Sequence, residues 1–268
     1  MTIFLLTDFG VSDVYVGVMK AVMCGLAPDV RLIDLTHDVP PCNVPVAAFR
    51  LACAMPHVTD AAIFLSVVDP GVGGDRRKII ARCGGHLHVL PDNGLLSGCA
   101  ELAPIEEAWV INEDVLPKRA MSATFHGRDV FAPAAAWLSR NGGRVGALGR
   151  PIPVGSVQRR DWFHVTRADG FLSGAVLDID RFGNVVTSVK QSDVIGVDPD
   201  ALDVGCEAFS VRGLKQKYID VNEGEALAYI GSSGYLELAC RNGKAAARFN
   251  IGIGDPVIVG LPGETAHD

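Results

Sequence analysis

The sequence predicts an α/β N-terminal domain with a largely parallel sheet over residues 1–150, followed by a smaller all-β, barrel-like C-terminal domain over residues 165–262. Three observations predict it. Short apolar runs alternate with helical patterns up to about residue 140, as the strands and crossover helices of a parallel sheet do. Pro151, Pro153 and Gly155 then punctuate a connector. Beyond it long helical periodicity does not return, and short strands alternate with Gly, Asn and Asp turns, the pattern of a compact barrel or sandwich.

Taken in order, IFLLTD (3–8) reads as a buried strand. Ser12 is placed to cap the helix that follows, with Val14, Val18, Ala21, Val22 and Gly25 at helical spacing. RLIDLTH (31–37) is the next strand, and a helix lies within 44–55. AIFLSVVD (62–69), KIIARC (78–83), LHVLPD (87–92) and EAWVIN (107–112) read as further strands. A last helix fits 128–140 and ends before Asn141-Gly142-Gly143. In the second domain the strands are FLSGAVLDID (171–180), NVVTSVK (184–190), CEAFSVRG (206–213), LAYIG (227–231) and YLELAC (235–240), with RFNIG (248–252) and PVIVG (256–260) as two more.

Composition narrows the function. At 268 residues and 49% hydrophobic content the chain has enough apolar surface to order itself. No 18 apolar residues run together, so a membrane span is excluded. Met1 leads into IFLL without a basic segment, so no signal peptide is expected. The net charge of −7 argues against a nucleic-acid partner. Residues 1–160 carry 15 basic and 15 acidic side chains, whereas 161–268 carry 9 against 16. That imbalance is either a solvated surface or a field favouring a cationic small ligand. The seven cysteines form no CxxC pair, so a reducing cytoplasm is expected and zinc is not.

Candidate chemistry collects at strand ends, where open α/β sheets bind ligands. Asp8, Asp69 and Asp92-Asn93 each follow a predicted strand. The loop Asp69-Pro-Gly-Val-Gly-Gly-Asp-Arg76-Arg77 suggests a phosphate cradle, but no GK[ST] or GxGxxG pattern completes one. A tight loop turning Arg76 or Arg77 back to Asp69 is the other reading. His126, in Thr124-Phe125-His126-Gly127-Arg128-Asp129, is either a general base or a capping imidazole. His86 and His88 share a strand face and read as ordinary strand residues, and His37 as a turn residue. Asp178 to Asn184 offers carboxylates, an aromatic ring and an amide suited to a purine, or only a hairpin turn. The same choice stands for Ser232-Ser233-Gly234-Tyr235 and Arg241-Asn242-Gly243.

Together these segments resemble a known family. TDFG (7–10), DPGVGGDRR (69–77), PDNGLL (91–96), TFHGRD (124–129), DRFGN (180–184) and SSGYLELACRNG (232–243) occur in its order. The chain is similar to the S-adenosyl-L-methionine (SAM) hydrolases, or SAM hydroxide adenosyltransferases, relatives of the SAM-dependent fluorinating and chlorinating enzymes. The resemblance implies a homotrimer with active sites at subunit interfaces, and attack of water or hydroxide on C5′ of SAM to release adenosine and L-methionine. An Asp-Arg-His triad, absent from the halogenating relatives, falls on Asp69, Arg76 and His126. Asp8 matches a ribose-binding carboxylate, and Asn93 lies in a nucleoside-contacting segment. Asp180 matches a group meeting the methionine ammonium, Phe182 and Asn184 adenine contacts, and Ser232 a contact at the methionine end. Arg241 and Gly243 fall where backbone binds adenine. No cofactor and no metal are implied, SAM being the substrate. Two departures stand out. One residue, not two, separates Asp180 from Phe182, and Ser233 replaces an arginine set against the methionine carboxylate. The rival readings are a SAM or adenosine sensor without turnover, a halide-dependent adenosyl transferase, and a metal-dependent phosphohydrolase suggested by the strand-end aspartates.

Overall fold

Apolar from Ile3 to Leu6, the first segment suits a strand covered on both faces, and it forms β1 (Ile3–Thr7) inside a seven-stranded sheet. The structure is a computed structural model describing residues 1–117, 122–168, 170–206 and 209–262. Two compact units divide the chain, Met1–Arg160 and the part from Asp161 onward. In the first unit β1 is followed by α1 (Tyr15–Leu26), β2 (Leu32–Thr36), α2 (Val44–Ala54), β3 (Ile63–Val67), β4 (Lys78–Cys83), β5 (His86–Pro91), α3 (Ser97–Leu102), β6 (Ile105–Ile111), α4 (Ala132–Arg140) and β7 (Gly149–Pro151).

The strand order is β2-β1-β3-β5-β4-β6-β7, and the sheet is mixed rather than largely parallel. Strands β2, β1, β3 and β5 run parallel, but β4, β6 and β7 are paired antiparallel. The β4–β5 pairing follows from a two-residue turn. Gly84 and Gly85 have φ of +59° and +78°, and a turn with both residues left-handed closes a hairpin, whose strands pair antiparallel.

Helix α1 buries Val16, Met19, Val22 and Met23, so only Val22 of the predicted stripe is buried, and Val14 is 72% exposed. The two methionines, left out of that stripe, pack against Ile3, Leu5, Ile63, Leu65 and Phe131 in the core. Ser12 does not cap the helix, which begins after Val14 without a side-chain cap. Asn43 caps α2 by accepting from Val46 N at 3.1 Å. The last predicted helix is present, with its first turn a π-helical one over Gly127–Phe131. The residues after β7 stay on this unit: Gln158 N donates to Asp92 Oδ1 and Arg160 N to Ser97 Oγ, both at 2.8 Å.

The second unit contains β8 (Thr166–Ala168), β9 (Phe171–Ile179), β10 (Val185–Lys190), β11 (Asp203–Cys206), β12 (Phe209–Arg212), β13 (Ala226–Ile230), β14 (Tyr235–Cys240), α5 (Ala245–Phe249) and β15 (Pro256–Gly260). Seven strands follow the order β12-β11-β15-β9-β10-β14-β13, and β8 joins β9. Just past β12, Leu214 bridges Ala228 of β13, so the two ends of the sheet approach and it is nearly a barrel. The strand expected over 206–213 is divided between β11 and β12, with residues 207 and 208 outside the described ones. RFNIG is not a strand. Its first residues close α5, and Asn250 turns the chain with φ of 53°.

No helix among the described residues is long and apolar enough to cross a membrane, and all seven cysteines are free thiols. His86 and His88 flank Phe64, His88 stacked on it at 5.1 Å and 10°. His88 is fully buried, its Nε2 3.3 Å from the carbonyl of Cys83. Burial pushes its pKa down to about 3, so below pH 6.5 the unfolded chain takes up a proton that the folded one refuses. Stability is therefore full above pH 6.5 and falls by about 1.4 kcal/mol per pH unit between 6.5 and 3 for this group. Urea titrations at pH 7 and pH 5 are expected to differ by roughly 2 kcal/mol less in a His88→Phe variant than in the parent.

Candidate active site

Because β1, β3 and β5 are neighbours and parallel, Asp8, Asp69 and Asn93 all follow the carboxyl ends of adjacent strands. Asp8, Asp69 and His126 line one cavity of about 320 Å³ whose apolar walls include Phe9, Tyr15, Val67 and Phe125. Asp8 Oδ2 accepts from Cys42 N at 2.8 Å, and Cys42 is held at φ 62°. Asn93 faces a different cavity, with Arg76, Arg77 and Asp92. Its amide braces the strand ends, donating to Val68 O at 2.9 Å and accepting from Leu95 N at 3.2 Å. Asp92 likewise pairs with Arg77. No three His, Cys, Asp or Glu side chains are placed to hold a metal ion among the described residues.

Asp69, Arg76 and His126 form one hydrogen-bonded group. Arg76 Nε donates to Asp69 Oδ1 at 2.8 Å, and its Nη2 donates to Asp69 Oδ2. The same Nη2 lies 2.8 Å from His126 Nδ1. A guanidinium has no acceptor, so His126 Nδ1 accepts and the neutral ring carries its proton on Nε2. Arg76 Nη1 is buried and has no partner among the described residues. Burial first, then the nearby Lys78 and Arg76 cations, hold the His126 pKa below its ordinary value. Lys78 is itself paired with Glu113 at 2.5 Å.

Two loops must meet for this. Gly73 has φ of +82°, and a Cβ there would lie 2.7 Å from the carbonyl of Ala123, so only glycine lets the 69–77 loop approach residues 122–127 so closely. On the other side Arg128 forks onto Asp129, which accepts from Ser122 N at 2.8 Å. The Gly-Arg-Asp part of the motif thus fastens the loop that presents His126.

Sequence reasoning missed a buttress beneath Asp8. Thr7 Oγ1 accepts from Phe9 N at 3.2 Å and lies 2.8 Å from His37 Nδ1. His37 Nε2 is 3.0 Å from Asp34 Oδ1, and Asp34 pairs with Lys20. The order Thr-His-Asp copies a nucleophile triad, but Thr7 is fully buried and stays out of the cavity lining. Its role is support. The TDFG motif held the only sequence signal for it.

In the second unit the turn between β9 and β10 is closed by Asp180, whose Oδ1 accepts from Phe182 N and Asn184 N, and Oδ2 from Asn184 Nδ2, each at 2.8 Å. Phe182 is left 74% exposed. Ala246 N donates to Gly183 O at 3.0 Å, bringing this turn beside the one holding Arg241 and Gly243, where Gly243 N donates to Cys240 O. Arg241 Nη1 donates to Val221 O at 2.7 Å. Ser232 sits in the β13–β14 turn, at the other end of β14 from Arg241. Also missed were Tyr218, Tyr229 and Glu237, hydrogen-bonded in series to Asn184; no spacing in the sequence connects them.

Comparison with known proteins adds independent findings. The family model described as the SAM hydroxide adenosyltransferase N-terminal domain matches residues 3–149, and its C-terminal counterpart matches 174–258. An (R)-S-adenosyl-L-methionine hydrolase of Thermus thermophilus is 38% identical over 262 residues, covering 95% of this chain and 98% of that one. One from Salinispora tropica is 38% identical over 251 residues, covering 93% and 94%. A fluorinase of Nocardia brasiliensis is 28% identical over 294 residues, covering 96% of each. Among solved structures, an uncharacterized conserved protein from Thermotoga maritima superposes with a TM-score of 0.88 at 33% identity, covering 97% of this chain and 99% of that one.

The buttress has a measurable share in stability. Thr7→Val leaves Phe9 N and His37 Nδ1 without their buried oxygen partner, and urea unfolding is expected to show a loss of about 1–3 kcal/mol. A variant as stable as the parent would mean the hydroxyl is dispensable.

Proposed function

The chain belongs to the SAM hydroxide adenosyltransferase family, and from that premise we propose that it hydrolyses S-adenosyl-L-methionine to adenosine and L-methionine. The observation that carries the mechanism is the single guanidinium of Arg76 joined to both Asp69 and His126. Both Asp69 oxygens are engaged by Arg76, so Asp69 orients. Two donors remain for an oxygen nucleophile, Arg76 Nη1 and His126 Nε2–H, and paired donors favour hydroxide over water.

Hydroxide attacks C5′ as the C5′–S bond breaks. The O–C bond formed becomes the 5′-hydroxyl of adenosine, the bonding pair leaves with sulfur, and methionine departs as a neutral thioether. When water supplies the hydroxide, one proton is released. Opposite charges are annihilated in this step, so a small, largely apolar cavity accelerates it, and backside alignment at C5′ supplies more.

Recognition divides between the two domains, with chemistry in residues 1–150 and further contacts in 165–262. Asp8, at the cavity wall, takes the ribose hydroxyls. Asn93 contacts the nucleoside through the strand end it braces. Phe182 stacks on adenine beside Asn184, and the Arg241–Gly243 backbone lies next to that turn. Asp180 meets the methionine ammonium, and Ser232 reaches the methionine end. A cytoplasmic homotrimer with sites shared between subunits completes the proposal, and SAM is substrate with no cofactor required.

The test is incubation of the purified protein with SAM, with and without chloride and EDTA, following nucleosides by chromatography. Adenosine and methionine are expected in equal amounts whatever the additive. In the same assay Asp69→Asn and Arg76→Lys should each lower kcat about 10²–10³-fold, since a lost preorganised donor costs that much and lysine cannot fork. Bound SAM without product would make the protein a sensor. Near-parental rates in both variants would remove the triad from the chemistry.

The pH profile offers a separate check. Neutral His126 is the form that accepts from Arg76, and its pKa lies below the ordinary 6.5. Acidification should therefore leave kcat level through pH 6.5 and depress it only at lower pH. In Lys78→Met, with one neighbouring cation removed, the descent should begin at higher pH. A descent already centred above 6.5 in the parent contradicts this assignment.

A further inference from the structure

Asn184 is 5% exposed, and its side-chain nitrogen is fully used: one hydrogen goes to Asp180 Oδ2 at 2.8 Å, the other to Tyr218 OH at 3.1 Å. Its oxygen, Oδ1, meets no partner among the described residues. A buried amide with one end saturated and the other bare is a half-made recognition element.

The bonds beyond Asn184 run in one direction only. An amide N–H donates and never accepts, so Tyr218 accepts from Asn184 and directs its own proton elsewhere. Tyr229 OH lies 2.7 Å away and receives it. Tyr229 in turn donates to Glu237 Oε2. Glu237, in the middle of β14 and 9% exposed, ends the series as an acceptor. Room for its carboxylate comes from Gly231, where a Cβ would lie 1.8 Å from Glu237 Oε1. Asp180 holds the amide from the opposite side, so Oδ1 cannot rotate inward without facing a carboxylate oxygen.

The geometry points to Tyr218, Tyr229 and Glu237 as positioning residues that lock Asn184 with its oxygen outward, so that the second unit accepts a 6-aminopurine and refuses a 6-oxopurine. The inference rests on the SAM-hydrolase reading and deepens it. Beside the exposed ring of Phe182, a stacked base presents its edge to Oδ1. An exocyclic amine gives Oδ1 a proton, whereas a 6-oxo group sets lone pair against lone pair. A buried acceptor left unpaired in this way carries a large discrimination.

The experiment is calorimetric titration of the full chain with adenosine and with inosine, alongside kcat and KM for SAM. The parent is expected to bind adenosine at least about thirtyfold more tightly than inosine, a modest value for a site built around a hydrogen bond. Tyr229→Phe, which removes one oxygen and little volume, should reduce that ratio about tenfold, as should Gly231→Ala, which displaces the carboxylate. Glu237→Gln retains an acceptor oxygen and should keep the ratio within about threefold of the parent. In Tyr229→Phe the loss should fall on KM, with kcat changed less than about threefold. An unchanged ratio in a normally folded Tyr229→Phe overturns the inference, as does a parent that binds both nucleosides equally or neither. A parent that prefers adenosine yet never turns over SAM counts against the hydrolase reading alone.

Discussion

The hydrogen-bonded group of the first unit depends on one mostly buried guanidinium. Arg76 cannot lose its proton and cannot accept one, so every group it touches has its role assigned. Asp69 must be an acceptor on both oxygens, and His126 must present a bare Nδ1. The fold supplies the two loops that meet there. One leaves the end of β3 and reaches β4, and the other enters α4 through a π-helical turn, a local widening often found at functional sites. The side chain itself lies over Phe131 at 6.0 Å, which ties the site to the main core.

In the second unit the acceptors are the fixed ends and the donors lie between them. Asp180 and Glu237 bound a run of N–H and O–H groups whose directions follow from the chemistry of an amide. That arrangement leaves one oxygen over. Both carboxylates accept from the chain's own groups, and the oxygen left over belongs to a neutral side chain between them. Burial, and the negative charge of Asp180 nearby, raise the Glu237 pKa, while the bond from Tyr229 offsets part of that rise.

Much of this was legible in the sequence because it is local. Apolar runs located β1, β3, β4 and β5 to within a residue or two, and an acidic or amide residue after three of them marked one edge, where Asp8 and Asp69 line a cavity. The β4–β5 hairpin was also local in origin, since Gly84-Gly85 between two apolar runs is a hairpin signal, which the expectation of a largely parallel sheet did not use. The stripe of α1 was misplaced because two methionines carry its burial. At the same edge, Asp92 holds Arg77 and Asn93 braces the strand ends. The Thr7–His37–Asp34 buttress had no signal beyond the TDFG motif and the Tyr218–Tyr229–Glu237 series had none, since each joins segments distant in the sequence that only the fold makes neighbours.

The largely apolar cavity lined by Asp69 and His126 bears on the reverse direction as well as the forward one. In the proposed reaction a sulfonium and a hydroxide become a thioether and an alcohol inside it, and low polarity penalises the charged side of that exchange far more than water does. Product and substrate in the site are therefore balanced differently from the same molecules in solution: the internal equilibrium lies further toward product. On the same proposal, adenosine carries no sulfonium charge and is retained by hydrogen bonds and stacking. On that proposal, discharge of the substrate and the tilt toward product are two results of the same change in charge.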